Sequence, residues 1–245
     1  MKLPVKVPTS FRIIAHRGAS GYAPENTMAA FQLAEKMGVS EVELDVQFSK
    51  DHQLVLCHDL ILDRYGYPGI RVADLTLDEL LKLDMGSWYS PFLYGGEPLL
   101  SLETLFDTFG DHFVYHVELK ATVEGITQAV AKTVTANRLQ ERAIITSFHL
   151  EALSEIKELA PDLRIGWLIK NNAFSREKVT RAIDAGVFQI CPPANETNKE
   201  KVSAARSSIP EVRAHSVKGI TDMLQAIEAG CDGMTVNWPD WLVHE

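Results

Sequence analysis

The sequence predicts an α/β protein, and within that class a (β/α)₈ TIM barrel with a small insertion after the second strand. Three observations support this fold. Short apolar segments alternate with helical patterns, glycines separate helix ends from the next strands, and 245 residues suit one such barrel. An open doubly wound sheet has the same alternation and is the alternative. We expect a single domain over residues 1–245, with the insertion at residues 60–98.

Eight strands are predicted, and most of them are continuous apolar runs. Such runs are typical of parallel strands that are buried on both faces. The predicted strands lie at residues 12–15, 42–46, 113–119, 143–147, 164–169, 187–190, 211–215 and 233–236.

Helical patterns fill the intervals between these strands. Asn26 is suited to cap a helix that carries Phe31, Ala34 and Met37 on one face, and Gly38 is suited to end it. Similar apolar spacings predict further helices over residues 150–159 and 220–227.

The interval between the second and third strands is too long for one helix and its loops. It contains another apolar run at residues 53–59 and helical patterns at residues 75–86 and 101–110. It also contains an aromatic cluster: Trp88, Tyr89, Phe92 and Tyr94. This cluster is either a hydrophobic lip for an alcohol or lipid, or the core of a small subdomain.

The composition limits the partners and the compartment. A net charge of −9 argues against broad nucleic-acid binding, which requires a basic surface. The cysteines, Cys57, Cys191 and Cys231, are scattered, so we expect them to be buried and reduced. No signal peptide is recognisable, and no run approaches the roughly 20 apolar residues of a membrane span. We therefore expect a cytoplasmic protein without a stable membrane anchor.

Polar residues collect at the ends of the first predicted strands. In a barrel these ends share one rim, so their side chains meet. The residues concerned are His16, Arg17, Glu43, Asp45, His58, Asp59, Glu118 and Lys120.

The acidic residues of this rim suggest a metal site. Glu43 and Asp45 are two positions apart on one strand, so both point to the same side. Glu118 is a third acid at an equivalent position. Three carboxylates suit one hard divalent cation, Mg²⁺ or Ca²⁺. The alternative is a set of ion pairs with Arg17 and Lys120.

Two histidines of the rim are candidates for proton transfer. His16 and His58 each begin a polar pair directly after an apolar run, and two histidines can divide the acid and base roles. The planar guanidinium of Arg17 suits phosphate or carboxylate. Ser147 lacks a nucleophile elbow, so we interpret Ser147 and Phe148 as rim or wall residues. We interpret the remaining histidines of the first part of the chain as structural: His52, His112, His116 and His149.

Three segments together resemble a known family. "AHRGASGYAPENT", "EVELDVQFSKDHQLVLCHD" and "HVELK" are closely similar, in order and spacing, to the glycerophosphodiester phosphodiesterase family. The clear similarity covers residues 12–120. The second half of the chain is similar mainly in its βα rhythm, through "ITSF" and "GCDGM".

The resemblance implies a divalent-metal-dependent hydrolase that releases glycerol 3-phosphate and an alcohol from a small glycerophosphodiester. It implies a path similar to phosphoinositide cleavage, through a cyclic phosphate that water then opens. The roles it implies are metal binding by Glu43, Asp45 and Glu118, acid–base catalysis by His16 and His58, and phosphate contact by Arg17 and Lys120.

Two segments depart from the pattern of this family. Many relatives carry Trp-Thr-Val-Asn where this chain has "HSVK", residues 215–218, and Thr-Asp where it has "TVNWP". These departures concern the substrate rather than the reaction class. Two alternatives follow: a lysophospholipase D-type cleavage of lysolipids, and a silent phosphate-binding barrel. The presence of both His16 and His58 argues against the silent barrel.

Overall fold

Eight parallel strands close into a barrel in the computed structural model, which describes residues 3–121 and 123–245. The barrel order is β2, β3, β6, β7, β8, β9, β10 and β11, and β2 pairs with both β3 and β11. This closure confirms the (β/α)₈ prediction and excludes the open sheet. The strands are β1 Val5–Val7, β2 Arg12–His16, β3 Glu41–Phe48, β4 Leu54–Leu56, β5 Leu100–Ser101, β6 Val114–Leu119, β7 Ala143–Ser147, β8 Arg164–Leu168, β9 Gln189–Cys191, β10 Glu211–Ala214, β11 Gly233–Val236 and β12 Leu242–His244.

The remaining strands lie outside the barrel. β1 and β12 form a separate parallel pair. β4 pairs antiparallel with the end of β3, and β5 pairs antiparallel with β4. The predicted apolar run at residues 53–59 is therefore a short extension of the barrel sheet, and it leads directly to His58.

Helices follow most barrel strands and pack around them. The helices of the described residues are α1 Met28–Lys36, α2 Leu77–Leu80, α3 Pro91–Tyr94, α4 Leu102–Phe109, α5 Ile126–Ala136, α6 Leu150–Leu159, α7 Arg176–Asp184, α8 Lys199–Arg206 and α9 Ile220–Ala229. The predicted helix at residues 75–86 is shorter than expected. Asp84 Oδ1 accepts hydrogen bonds from the backbone N–H groups of Gly86 and Ser87, which stabilises a turn instead of a helix.

The barrel interior contains charged groups as well as apolar ones. Arg12 Nε donates to Glu41 Oε1 at 2.7 Å and also binds Glu211. His116 Nε2 donates to Glu41 Oε2 at 3.0 Å and is fully buried. These groups pair with one another below the mouth of the barrel, although His116 Nδ1 has no hydrogen-bond partner among the described residues. His116 lies in the interior, outside the cavity.

A second apolar cluster lies in the insertion and in the chain segments that border it. Its members are Val55, Cys57, Leu62, Tyr65, Val72, Leu80, Met85 and Leu99. Trp88 packs on this cluster, with its ring 5.6 Å from that of Tyr65. Phe92 and Leu93, in contrast, are 98% and 76% exposed. The small-core interpretation therefore suits Trp88, whereas Phe92 projects from the surface.

Hydrogen bonds attach the insertion to the loop after β2. The Tyr89 hydroxyl donates to the Gly21 carbonyl at 2.8 Å, and the Tyr94 hydroxyl donates to the Tyr22 carbonyl at 2.9 Å. These bonds place the insertion beside the mouth of the barrel. Over residues 3–121 and 123–245, no helix has both the length and the apolar character that crossing a membrane requires.

Candidate active site

The C-terminal ends of the barrel strands enclose a cavity of about 330 Å³. The structure brings the predicted site residues together at this end of the barrel. Asp45 is fully buried beside the cavity, and the other six line it: His16, Arg17, Glu43, His58, Glu118 and Lys120. Active sites of this fold lie at the same end of the barrel.

Three buried carboxylates converge at one side of the cavity. Oxygen atoms of Glu43, Asp45 and Glu118 all lie within 4.8 Å of one another. Glu43 Oε1 and Asp45 Oδ1 are buried and accept no hydrogen bond from the described residues. Burial first, and then the charges of Asp45 and Glu118, raise the pKa of Glu43. Crowded oxygen ligands without donors fit a hard divalent cation such as Mg²⁺ or Ca²⁺.

Two cationic side chains contact the same carboxylates. Arg17 Nε lies 2.9 Å from Asp45 Oδ2, and Arg17 Nη1 donates to Glu25 Oε2 at 2.9 Å. Lys120 Nζ donates to Glu118 Oε1 at 2.7 Å and lies 3.4 Å from Asp45 Oδ1. Burial would raise the pKa of Asp45, but Arg17 and Lys120 outweigh it and lower that pKa to about 2. Asp45 therefore remains ionised without a metal, while the cluster keeps free oxygens.

The backbone after β2 explains the His-Arg-Gly order. Arg17 has a φ of 56°, and its backbone N–H donates to Glu43 Oε2 at 3.2 Å. Gly18 has a φ of 79°, and a Cβ at this position would lie 2.6 Å from the carbonyl carbon of Ala30. Only glycine fits against the helix there, so the turn that returns Arg17 to the carboxylates requires it.

Asn26 positions Asp45 and does not cap α1, so the capping prediction is wrong. The N-cap is Thr27, which accepts the backbone N–H of Ala30. Asn26 has a φ of 57°, a conformation that asparagine tolerates better than most residues. Its Nδ2 donates to Asp45 Oδ2 at 2.8 Å, and its Oδ1 accepts the backbone N–H of Asp45 at 3.3 Å. Asn26 belongs to the "PENT" segment of the family resemblance, and this motif could have indicated that Asn26 has a role in the site.

His16 is oriented by a residue from the opposite end of the chain. Its Nδ1 donates to Asn237 Oδ1 at 2.6 Å, and its Nε2 lies 3.7 Å from Glu43 Oε2. Burial and the charge of Arg17 lower the pKa of His16 to about 3. The ring is therefore neutral, with its lone pair on Nε2. Sequence reasoning identified "TVNWP" only as a departure and missed this contact.

His58 is oriented by a charged group instead. Its Nδ1 donates to Asp59 Oδ1 at 2.6 Å. Arg64, from the insertion, donates through Nε to Asp59 Oδ2 at 2.9 Å and also binds Glu25. Glu25 in turn accepts from Arg17, so one chain of ion pairs joins the two histidine-bearing loops. Sequence reasoning missed Glu25 and Arg64.

The other wall of the cavity comes from the second half of the chain. Phe148, which the sequence indicated as a wall residue, lines it together with His215 and Lys218. His215 Nε2 donates to the Ile169 carbonyl at 2.9 Å, and the Ser216 hydroxyl donates to His215 Nδ1 at 2.8 Å. Both ring nitrogens of His215 are therefore occupied, and the ring acts as a neutral wall.

Comparisons with known proteins agree with this geometry. The model of the glycerophosphoryl diester phosphodiesterase family matches residues 16–241. A glycerophosphodiester phosphodiesterase of Caldanaerobacter subterraneus is 33% identical over 95% of this chain and 96% of its own length. One from Bacillus subtilis is 32% identical over 97% and 87%.

A solved structure is also similar to this chain. An Oleispira antarctica phosphodiesterase in complex with the product sn-glycerol-3-phosphate superposes with a TM-score of 0.83 at 26% identity, over 94% of each chain. The family match begins at the last residue of β2 and includes the seven other barrel strands and all the predicted site residues. The chain therefore belongs to the glycerophosphoryl diester phosphodiesterase family and is a phosphoric diester hydrolase.

Proposed function

We propose that this protein hydrolyses glycerophosphodiesters to glycerol 3-phosphate and an alcohol, with a divalent cation and with His16 and His58 as the acid–base pair. One observation carries the proposal. Two histidines, each oriented through Nδ1, line the same cavity as a convergent carboxylate cluster. The product complex of the Oleispira relative supports a small-molecule substrate of this kind.

Glu43, Asp45 and Glu118 would hold one cation, Mg²⁺ or Ca²⁺. The bound cation supplies a fixed positive charge that stabilises negative charge on the phosphoryl oxygens. Arg17 and Lys120 would contact the phosphate from the same side. Their present ion pairs with the cluster hold both side chains at the cavity before substrate arrives.

The hydrogen-bond partners of the two histidines suggest their roles. The carboxylate of Asp59 accepts the Nδ1 proton of His58 and is itself held by Arg64, so we assign His58 as the general acid. Asn237 is neutral and holds the Nδ1 proton of His16, which leaves Nε2 free to accept a proton as the general base. His16 would remove the proton of the vicinal glycerol hydroxyl, whose oxygen attacks phosphorus. His58 would protonate the departing alcohol oxygen as its bond to phosphorus breaks.

Water then completes the reaction with the roles reversed. His58 would take a proton from the water that opens the cyclic phosphate, and His16 would return its proton to the glycerol oxygen.

We place the reaction in the cytoplasm, in line with three buried free cysteines. A second candidate, cleavage of lysolipids, is favoured by the exposure of Phe92 and Leu93 on α3 of the insertion.

A coupled assay for glycerol 3-phosphate tests the proposal. Glycerophosphocholine is incubated with protein that has been dialysed against EDTA, and then with added Mg²⁺ or Ca²⁺. We expect no turnover after dialysis and recovery with one of the two cations. Full activity in excess EDTA would contradict the metal requirement, and binding without turnover under all conditions would favour the silent barrel.

A further inference from the structure

Arg213 is a buried cation without an anionic partner. It lies on β10, is only 2% exposed, and contributes to the floor of the cavity. Its Nη1 donates to Thr235 Oγ1 at 2.8 Å and its Nη2 lies 3.4 Å from Cys191 Sγ, while its Nε has no acceptor. No carboxylate of the described residues forms a salt bridge with it. Its direct hydrogen-bond partners are neutral, and its charge acts over a longer range on Glu43. A buried guanidinium without a directly paired anion is costly unless a ligand supplies the missing charge.

Lys218 is a second free cation on the same side. Its side chain is exposed and lines the cavity, and it forms no ion pair within the described part of the chain. The loop that carries it is nevertheless fixed. The Lys218 backbone N–H donates to Asp222 Oδ2 at 2.8 Å, and His215 is held through both ring nitrogens. The position of Lys218 at the rim is therefore defined by the backbone.

The charges of the cavity do not balance for a simple phosphodiester. Four carboxylates, Glu25 and the three of the cluster, face four cationic side chains: Arg17, Lys120, Arg213 and Lys218. A divalent cation at the cluster adds two further positive charges. A phosphodiester brings one negative charge, so positive charge remains in excess on the side of Arg213 and Lys218. An excess of this kind attracts a second anionic group.

We propose that Arg213 and Lys218 form a second anion subsite, which selects glycerophosphodiesters whose alcohol half carries its own phosphate or carboxylate. This inference rests on the proposed function and names the substrate class of the same site. Arg17 and Lys120, which pair with the carboxylate cluster, bind the scissile phosphate. Arg213 and Lys218 bind the anionic group of the leaving alcohol, which lies between the neutral surfaces of Phe148 and His215.

A panel of substrates with different alcohol charges tests the subsite. Glycerophosphocholine has a cationic alcohol half, and glycerophosphoglycerol a neutral one. Bis(glycerophospho)glycerol carries an additional phosphate, and glycerophosphoglycerate a carboxylate, so the two possible sources of charge are separated. We expect kcat/KM for at least one anionic substrate to exceed that for glycerophosphoglycerol by about tenfold, since one favourable charge contact has this magnitude.

Substitutions then assign the preference to this side of the cavity. Lys218→Gln should reduce the ratio of kcat/KM for anionic over neutral substrate by about fivefold, and Lys218→Glu should reverse the preference towards glycerophosphocholine. Lys170→Gln is the matched control, because Lys170 is an exposed lysine of a neighbouring rim loop outside this cavity. Its ratio should stay unchanged. Arg213→Gln should lower the same ratio in a variant that retains the wild-type circular dichroism spectrum.

The outcomes separate this inference from the proposed function. No glycerol 3-phosphate from any substrate would overturn the proposed function. Turnover of the neutral diester with equal or higher kcat/KM than both anionic diesters would overturn the subsite alone. An anionic preference that neither Lys218 variant changes would also overturn it. A ratio that falls in the Lys218 variants but not in the Lys170 variant supports the subsite.

Discussion

The charged side chains on the two sides of the barrel mouth differ in whether they form ion pairs. The catalytic side, formed by the ends of β2, β3 and β6 and by the insertion, joins its charges in a continuous set of ion pairs. The open side, formed by the ends of β7–β11, carries Arg213 and Lys218 without anionic partners. The first arrangement holds side chains in place before substrate arrives. The second leaves charge available for a ligand.

A side-chain hydrogen bond connects the two sides. Asn237 follows β11 on the open side, and its amide oxygen accepts from His16 on the catalytic side. The geometry of His16, a proposed catalytic group, therefore depends on closure of the barrel between β11 and β2. The comparison predicts that substitutions on the catalytic side reduce turnover of every substrate, whereas those on the open side change the choice among substrates.

The largest effect is expected at the two histidines. His16→Ala and His58→Ala should each lower kcat by about 10²–10⁴-fold, the usual contribution of a general acid or base. The two losses should not add in the double variant, because both residues serve one proton-transfer sequence. A glycerol diester with a nitrophenol leaving group should restore His58→Ala selectively, since this leaving group needs no proton. Steady-state kinetics measure each loss.

His149→Ala is the control for the histidine variants. His149 is exposed and does not line the cavity, so its replacement should leave kcat within about twofold. Near-native turnover in both His16→Ala and His58→Ala would refute the two-histidine mechanism. An equal rescue of both variants by the nitrophenyl substrate would refute the assignment of His58 as the acid.

The next largest effect is expected at the carboxylate cluster. Glu43→Gln keeps the volume of the side chain and removes a charged ligand, so cation affinity should fall by roughly 100-fold. Isothermal titration calorimetry with Mg²⁺ or Ca²⁺ measures this change directly. Glu151→Gln is the matched control, because the Glu151 side chain is 81% exposed, is not part of the cluster and does not line the cavity. Unchanged cation affinity in Glu43→Gln would show that the cluster is not the metal site.

These first predictions concern residues that the sequence itself identified. Strand parity placed Glu43 and Asp45 on the same side, and the (β/α)₈ rhythm placed Glu118 and the two histidines at the same rim. Their convergence followed from local pattern because each of them lies on a strand or within two residues of its end. The fold was predictable for the same reason, since alternating periodicity repeats along the whole chain.

The supporting residues were not predictable in this way. Asn237 and His16 are separated by 221 positions, and Arg64 and Glu25 by 39, so no local pattern relates them. Arg213 lies in β10, where it is buried between Val212 and Ala214, and the sequence does not show which groups surround its charge. Their roles depend on barrel closure and on the path of the insertion, which only the tertiary structure provides.

The raised pKa values of the cluster carboxylates should make cation binding depend on pH. The pKa of Glu43 is raised by burial and by Asp45 and Glu118, and that of Glu118 is raised by burial and Asp45. Both must lose a proton to bind a cation, so protons compete with the metal at a higher pH than they do for an ordinary carboxylate. Cation affinity should fall with decreasing pH, by up to about tenfold per unit for each proton. Calorimetric titration from pH 8 to about pH 5 measures this slope, and a flat profile would contradict the expectation.

A smaller effect is expected where the insertion meets the catalytic side. Arg64→Met removes the donor to Asp59, so His58 should lose orientation and kcat should fall by about tenfold with little change in KM. Arg64→Lys should recover part of the loss because it keeps the charge. Arg71→Met, at an exposed position of the same insertion, is the control. An increase in KM without a change in kcat would show that Arg64 contacts substrate instead of positioning His58.

The smallest effect is expected at Phe92, and it decides between small and lipid-sized substrates. Phe92 is 98% exposed on α3, and its neighbour Leu93 is 76% exposed, so neither supports the apolar cluster of the insertion. Phe92→Ser should therefore leave melting temperature and kcat/KM for glycerophosphoglycerol nearly unchanged. If lysolipids are the substrates, the same variant should lose several-fold in kcat/KM for micellar lysophosphatidylcholine, because an exposed aromatic ring contributes apolar area to a lipid surface. Equal activity of wild type and Phe92→Ser on both substrates would exclude a lipid contact at this position and leave the chemistry of the catalytic side unaffected.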